Sequence, residues 1–291
     1  LPPFFSRSAA GDLQIERVTA GEITARFGSP TYVYSRAAIE SAFNALTEAF
    51  GEQAHRICYA VKANSNIGIL NLLARLGAGF DIVSYGELAR VQAAGGEPGR
   101  CVFSGVGKSA DEIRGALSAG IGCLNVESEA ELRRIASIAS EMQTIAPISL
   151  RVNPDVDART HPYISTGLKD NKFGIAIDEA LPLYEWAHAQ PSLAVTGIDC
   201  YIGSQLTDVS PFRDAAERVM KLAHQLAERG ITLAHLDLGG GLGIRYTDEQ
   251  PPAAAAWIEA IRSVVDADPL ARDLPIWIEP GRFIAGPAGA L

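Results

Sequence analysis

The alternation of apolar runs with helix-like segments, which begins near residue 55, most constrains the fold of this chain. The segments between the runs, such as ADEIRGALSAG and FRDAAERVMKLAHQLAERG, repeat apolar residues at spacings of three and four, which is typical of amphipathic helices. Several of these segments stop at Gly, a common helix end. The runs that we interpret as strands are RICYAVKA (56–63), GFDIVS (79–84), CVFSG (101–105), GCLNVES (122–128), ISLRVNP (148–154), AVTGIDCYIGS (194–204), AHLDLGG (234–240) and IWIEPG (276–281).

Strands that are apolar without a break are typical of parallel sheets buried on both faces. Eight strand–helix units in roughly 225 residues match the size of a (β/α)8 TIM barrel. An open doubly wound sheet is the alternative, but it normally carries a glycine-rich fingerprint after its first strand. Here the first strand is followed by KANSN, so we predict the barrel, over residues 36–282.

Both ends of the chain fall outside the predicted barrel. Residues 1–35 read as short strands, residues 283–291 begin a new apolar run, and neither end has an evident strand to pair with. We interpret both as remnants of a second, all-β domain, and a first residue that is Leu suggests a piece of a longer chain.

Composition excludes several classes of function. A formal net charge of -9 without a basic run argues against nucleic acid as a partner. We find no apolar stretch long enough to span a bilayer and no secretory signal layout, so we expect a cytoplasmic protein away from the membrane. The four cysteines are scattered, which favours free thiols. The five histidines lack metal-ligand spacing, so we expect no metal; one of them, His161, lies in a long insertion between strands five and six.

Polar residues follow every predicted strand. In a (β/α)8 barrel the active site is built at the carboxyl ends of the strands, so these residues are expected to meet at one rim. In strand order they are Lys62; Asp81 and Ser84; Ser104; Asn125 and Glu127; Arg151 and Asn153; Tyr201, Ser204 and Gln205; Asp237 with Gly239, Gly240 and Gly241; and Glu279 with Arg282.

The sequence GGGLG after strand seven predicts a phosphate site. Glycine backbone N–H groups can wrap an anion, and the loops after strands seven and eight are the usual phosphate site of this fold. Arg282 could add a charge-assisted contact. A tight turn is the alternative interpretation of the glycines.

Lys62, at the end of an apolar strand, is expected to have a lowered pKa and to act as a nucleophile. A lysine, a phosphate site and the Glu279 carboxylate together indicate pyridoxal 5'-phosphate, in which the lysine forms the covalent link and a carboxylate pairs with the pyridinium nitrogen. The alternatives are a lysine that reaches to solvent and an exposed turn carboxylate.

Two further motifs receive ordinary interpretations. SGVGKS (104–109) is similar to part of a P-loop, but Val102 occupies the position of the first glycine. The acidic cluster of Glu127, Glu129 and Glu131 is expected to open a helix, where acids favour the dipole.

The chain resembles the fold-type-III pyridoxal-phosphate decarboxylases. The resemblance covers nearly the whole chain in family order, through YAVKAN, GFDIVSYGEL, FSGVGKS, LRVNPDVDARTHPYISTGLKDNKFGI, IGSQ, DLGGGLGI and EPGR. It implies an alanine-racemase-type barrel joined to a β-domain, and a homodimer with a shared active site. It implies decarboxylation of an amino acid, and HPYISTGLKDNKFG favours meso-2,6-diaminopimelate, which gives L-lysine, over ornithine or arginine.

The resemblance also assigns roles to individual residues. Lys62 is the Schiff-base lysine, Glu279 pairs with the ring nitrogen, and Asp81 with Arg151 positions Lys62 and the ring. Those implied at the phosphate are Gly239, Gly240, Gly241, Ser204 and Arg282, and Arg282 is also a candidate substrate contact.

The chain departs from the family pattern in two places. Tyr201 replaces the histidine of HIGSQ that stacks on the cofactor; tyrosine can stack but cannot carry the positive charge. The family's catalytic cysteine, its substrate-carboxylate contacts and a cofactor-contacting tyrosine fall beyond residue 291. We therefore expect this chain alone to bind the cofactor and turn over poorly. A related decarboxylase or racemase, or a non-catalytic pyridoxal-phosphate-binding protein, stays open.

Overall fold

A computed structural model describes residues 4–156 and 173–291. The sequence predicted only strands before residue 36, but a helix lies among them. Thr19 caps its first turn and Glu22 bonds back to the Thr19 backbone, a capping box that explains the helix. In chain order the elements here are β1 (Phe5–Arg7), β2 (Leu13–Ile15), β3 (Val18–Thr19), α1 (Ala20–Phe27), β4 (Val33–Tyr34) and α2 (Arg36–Phe50).

Eight parallel strands of the described chain close into a barrel, as predicted. The ring closes because the eighth strand pairs with the first, and the fourth with the fifth. The open doubly wound alternative is therefore wrong. The strands are β5 (His55–Ala60), β6 (Gly79–Ile82), β7 (Cys101–Phe103), β8 (Cys123–Val126), β9 (Ala146–Asn153), β11 (Leu193–Cys200), β12 (His235–Asp237) and β13 (Ile276–Ile278); a short β10 (Ile175–Ala176) pairs in parallel with the end of β9.

Helices cover the outside of the barrel and bury one face each. On α9, for example, Trp257 is fully buried and its ring lies 5.4 Å from that of Phe212 on α8. Serine or asparagine caps begin five of the described helices, at Ser35, Asn66, Ser84, Ser109 and Ser128. The helices are α3 (Ile67–Arg75), α4 (Tyr85–Ala93), α5 (Ala110–Ser118), α6 (Glu129–Glu141), α7 (Ile177–His188), α8 (Ser210–Ala227), α9 (Ala254–Val265) and the short α10 (Arg282–Ala285).

The two ends of the chain pair with each other. β4 forms an antiparallel pair with β14 (Gly289–Ala290), in which Tyr34 lies opposite Gly289. The sequence suggested terminal strands without partners, and this pairing corrects that expectation. The domain boundaries at residues 35 and 282 stay a prediction.

Three other expectations concern the chain as a whole. The four cysteines are free and buried, as predicted. Among the helices of residues 4–156 and 173–291, none combines the length and apolar character that a membrane span needs. The long insertion between strands five and six, with His161, falls mostly outside the described residues.

Candidate active site

A cavity of about 840 Å³ opens at the carboxyl end of the barrel. Tyr34 and Gly289, from the paired ends of the chain, help to line it. Asp81, Gly239 and Gly240 lie behind its wall. The predicted site residues that line it are Lys62, Arg151, Tyr201, Ser204, Gly241, Glu279 and Arg282.

Lys62 lies in a single 3₁₀ turn, Val61–Ala63, directly after β5. Its Nζ is 2.5 Å from Asp81 Oδ2 on the neighbouring strand β6; the lysine side chain is 55% exposed and the acid is fully buried. Burial lowers the pKa of Lys62, but the carboxylates of Asp81 and Glu279 outweigh it, so the pKa is raised. The predicted lowering of this pKa is therefore wrong, because an acid from another strand stabilises the ammonium.

Glu279 belongs to a cluster of buried acids that the sequence did not reveal. Carboxylate oxygens of Glu279, Asp199 and Asp237 lie within 4.8 Å of one another. Burial and mutual repulsion raise the pKa of Glu279 and of Asp199 well above the usual values, and that of Asp237 from 3.8 to about 7. The three acids therefore resist full ionisation, and a cation beside Glu279 would relieve their mutual repulsion. The expected absence of a metal stays a prediction.

Arg151 forms an ion pair with Glu127, which follows the neighbouring strand β8. Its Nη1 lies 3.2 Å from Glu127 Oε1, which also accepts the Gly105 N–H at 2.6 Å. The guanidinium lies 5.3 Å from the centre of the Tyr201 ring. Asp81 thus contacts Lys62, and Arg151 is held by Glu127.

Glu127 was expected to open α6 with Glu129 and Glu131. The helix begins one residue after Ser128, so Glu127 precedes the cap and lines the cavity. In the sequence, the NVES ending of strand four already predicted that Glu127 lies at the rim of the barrel.

Arg282 and Ser204 form a polar group at another part of the cavity. Arg282 Nε donates to Ser204 Oγ at 3.2 Å, and its Nη1 donates to the Tyr246 hydroxyl. Tyr246, which follows the GGGLG segment and lines the cavity, was not predicted from the sequence. This group offers a cation, hydroxyls and a nearby glycine, a combination suited to an anion.

The three glycines after β12 have different environments. Only Gly241 lines the cavity. A side-chain carbon at Gly239 would overlap the Cys200 carbonyl oxygen, and one at Gly240 would overlap the Glu279 carbonyl oxygen. Gly239 and Gly240 therefore allow neighbouring strand ends to approach closely, while Gly241 is the one placed to meet a ligand.

The fold and these side chains define a class of protein: a (β/α)8 barrel whose cavity brings together a lysine–acid pair, an acid from a buried cluster and a polar group suited to an anion. A family model described as pyridoxal-dependent decarboxylase, pyridoxal binding domain, matches residues 36–286. The chain belongs to this family of pyridoxal-dependent decarboxylases.

Two curated relatives of the chain carry the same name. Diaminopimelate decarboxylase of Pseudomonas aeruginosa is 58% identical, over 96% of this chain and 66% of the relative. The enzyme of the same name from Vibrio cholerae is 54% identical, over 99% and 68%. The chain spans about two thirds of the length of the curated relatives that it matches.

Solved structures agree with the fold. Diaminopimelate decarboxylase from Helicobacter pylori, complexed with L-lysine, superposes with a TM-score of 0.89 at 45% identity, covering 92% of this chain and 67% of the other. The diaminopimelate decarboxylase from M. jannaschii, also with L-lysine, gives 0.92 at 36% identity, covering 99% and 68%.

Proposed function

We propose that this chain is the cofactor-binding barrel of a decarboxylase that converts meso-2,6-diaminopimelate to L-lysine and CO2. The observation that carries the proposal is Lys62, whose Nζ lies 2.5 Å from Asp81 in a cavity that Glu279 and Arg282 share. The names of the curated relatives and the L-lysine in two related structures support the choice of substrate and product.

The residues of the cavity fit pyridoxal 5'-phosphate. Arg282, Ser204 and Gly241 would hold the phosphate, and Lys62 would hold the aldehyde carbon covalently. Glu279 would pair with the ring nitrogen, because a cation there would relieve the repulsion among the buried acids and favour the ionised carboxylate. Bound there, the cofactor supplies a sink for the electrons left when CO2 departs.

Unused hydrogen-bonding capacity at the site also favours a polar ligand. Within the described part of the chain, Asp81 Oδ1, Glu127 Oε2 and Arg151 Nε are buried without a hydrogen-bond partner. Buried polar atoms are normally satisfied, so such atoms in and behind the wall of one cavity fit a ligand or ordered water there.

Asp81 and Tyr201 have distinct tasks in this proposal. The Lys62 nitrogen must lose its proton before it can bond to carbon, and Asp81 Oδ2 keeps that nitrogen at the end of β5. Tyr201 would stack on the ring in place of the family histidine; burial raises the pKa of its hydroxyl, so the side chain stays neutral. Arg151, over the Tyr201 ring, supplies a positive charge close to the place of the missing imidazolium.

We also infer a cytoplasmic homodimer with a shared active site that acts on a small amino acid. The resemblance of the motifs supports the dimer, and the four free, buried cysteines agree with a reducing compartment.

The test of this function is CO2 release by the full-length protein, supplied with pyridoxal phosphate. The substrates to compare are meso-, LL- and DD-diaminopimelate, L-lysine, L-ornithine and L-arginine. We expect release from the meso isomer, with L-lysine as product, and none from a Lys62→Ala variant. Preference for ornithine or arginine would identify a related decarboxylase, inversion without CO2 a racemase, and cofactor binding without turnover a non-catalytic protein; each would contradict the proposal.

A further inference from the structure

Lys108 is a buried lysine that the proposed reaction does not use. It belongs to SGVGKS, the segment that is similar to part of a P-loop, and is 3% exposed. Its Nζ donates to Gly105 O at 2.8 Å, to Asn125 O at 2.7 Å and to Glu131 Oε1 at 2.7 Å. A buried ammonium is costly unless it is paired and its N–H groups are bonded, and here both conditions are met.

One series of hydrogen bonds runs from Lys108 through Asn125 to Glu279. Lys108 holds the main chain of Asn125 at the end of β8. The side-chain amide of Asn125 donates to Glu279 Oε1 at 3.2 Å, and its oxygen accepts from Ser149 Oγ at 2.6 Å. The position of the Glu279 carboxyl group therefore depends on a residue that Lys108 fixes.

A second series of contacts runs from Lys108 to Arg151. Glu131, paired with Lys108, accepts the Glu127 N–H on its second oxygen at 2.8 Å. Glu127 in turn pairs with Arg151 through Nη1 at 3.2 Å. The positive charges of Lys108 and Arg151 balance the negative charges of Glu131 and Glu127. These four residues connect the buried ammonium to the cavity wall.

We propose that Lys108 is a positioning residue for the cofactor ring, acting through Asn125 on Glu279 and through Glu131 and Glu127 on Arg151. This inference rests on the proposed function. Without the ammonium, Glu131 is left as an unpaired buried charge close to Glu127, and Gly105 and Asn125 each lose a bond. Glu279 and Arg151 then both lose the contacts through which Lys108 holds them in position.

The variants that test this role are chosen so that loss of positioning can be distinguished from a failure to fold. Lys108→Met alone leaves Glu131 uncompensated and is expected to harm folding. The double variant Lys108→Met/Glu131→Gln removes both charges and keeps an amide oxygen for the Glu127 N–H. The matched control is Arg114→Met/Glu141→Gln, an exposed pair at 2.7 Å that joins α5 to α6.

The measurements are the affinity of the full-length protein for pyridoxal phosphate and the circular dichroism of the bound cofactor at saturation. The dichroism reports the fixed orientation of the ring, which a merely structural role would leave unchanged. We expect the double variant to bind at least about ten-fold more weakly, the scale of lost supporting partners at metal sites, with a smaller signal per bound cofactor. The control should match the wild type.

A second variant, Asn125→Ser, removes the amide that contacts Glu279, Ser104 and Ser149 but leaves the contacts from Lys108 to Arg151 in place. It decides the question if the double variant does not fold. Reduced dichroism of its bound cofactor supports the inference. Wild-type affinity and dichroism in a folded double variant, or wild-type dichroism in Asn125→Ser, would overturn it. Failure of the wild-type protein itself to bind would overturn the proposed function, and this inference with it.

Discussion

Lys62 and Asp81 face each other across the first two barrel strands, with 2.5 Å between Nζ and Oδ2. The acid is fully buried and the lysine reaches it from the cavity side. This relationship explains why a lysine stands at the end of an apolar strand: the neighbouring strand supplies its counter-charge. The pair sets the protonation of the nitrogen that we propose to hold the cofactor.

Asp81→Asn should make Lys62 reactive at lower pH. Burial lowers the pKa of Lys62 and Asp81 raises it, so loss of the carboxylate is expected to lower the pKa by at least about one unit. The measurement is the rate of modification of the cofactor-free protein by trinitrobenzenesulfonate against pH, read by peptide mass spectrometry. Exposed Lys221 on α8 is the internal reference. Identical pH profiles for Lys62 in both proteins would contradict the prediction.

Asp237→Asn should flatten the pH dependence of stability. The pKa of Asp237 is raised from 3.8 to about 7, so between these values the folded state keeps a proton that the unfolded state releases. Its contribution to the free energy of unfolding is therefore complete below the lower value and is lost as the pH rises to the upper one, by at most about 1.4 kcal/mol per pH unit.

The check is urea unfolding of the cofactor-free protein at pH 5 and pH 8. The wild type should lose more stability between them than Asp237→Asn, whose amide oxygen can still accept the Gly239 N–H. If both proteins lost the same free energy of unfolding between pH 5 and pH 8, the pKa of Asp237 would not be raised by the fold.

Arg282→Met should weaken binding of pyridoxal phosphate while leaving pyridoxal, which lacks the phosphate, almost unaffected. A hydrogen bond to a charged group is worth about 1.5–3 kcal/mol, which corresponds to roughly ten- to hundred-fold in affinity. Both dissociation constants can be read from the absorbance of the bound ligand. Arg245→Met, an exposed arginine next to Tyr246, is the control and should bind both ligands normally. If the affinities for both ligands fell equally, Arg282 would not be the residue that holds the phosphate.

Gly240→Ala should reduce stability, since the new methyl group would overlap the Glu279 carbonyl oxygen. Overpacking of this kind lowers the free energy of unfolding by about 1–3 kcal/mol. Gly107→Ala is the control, because a side-chain carbon at Gly107 meets open space. Urea unfolding of the two variants checks this, and similar stabilities would show that the strand ends can separate without penalty.

The sequence predicted the barrel and most of the cavity rim because both follow from local rules. Apolar runs such as CVFSG correspond to strands, and the carboxyl ends of barrel strands share one rim. Lys62, Glu279 and Arg282 could therefore be placed together from their positions alone.

Other features depend on how distant strands meet, and no local pattern contains that information. Asp199 lies inside an apolar run, and only the closed barrel brings it next to Asp237 and Glu279. The pKa of Lys62 rises because of an acid on another strand. Glu127 differs from Glu131 only in preceding the Ser128 cap, a boundary within the uncertainty of sequence-based helix ends.

The most direct measurement of the central claim is the chemical identity of the lysine that binds pyridoxal phosphate. The full-length protein is saturated with the cofactor and reduced with borohydride, which makes the lysine–cofactor bond permanent, and its peptides are mapped by mass spectrometry. We predict one labelled site, Lys62, and no label there in a Lys62→Arg variant. A label spread over surface lysines such as Lys221, or absent from Lys62, would contradict the account.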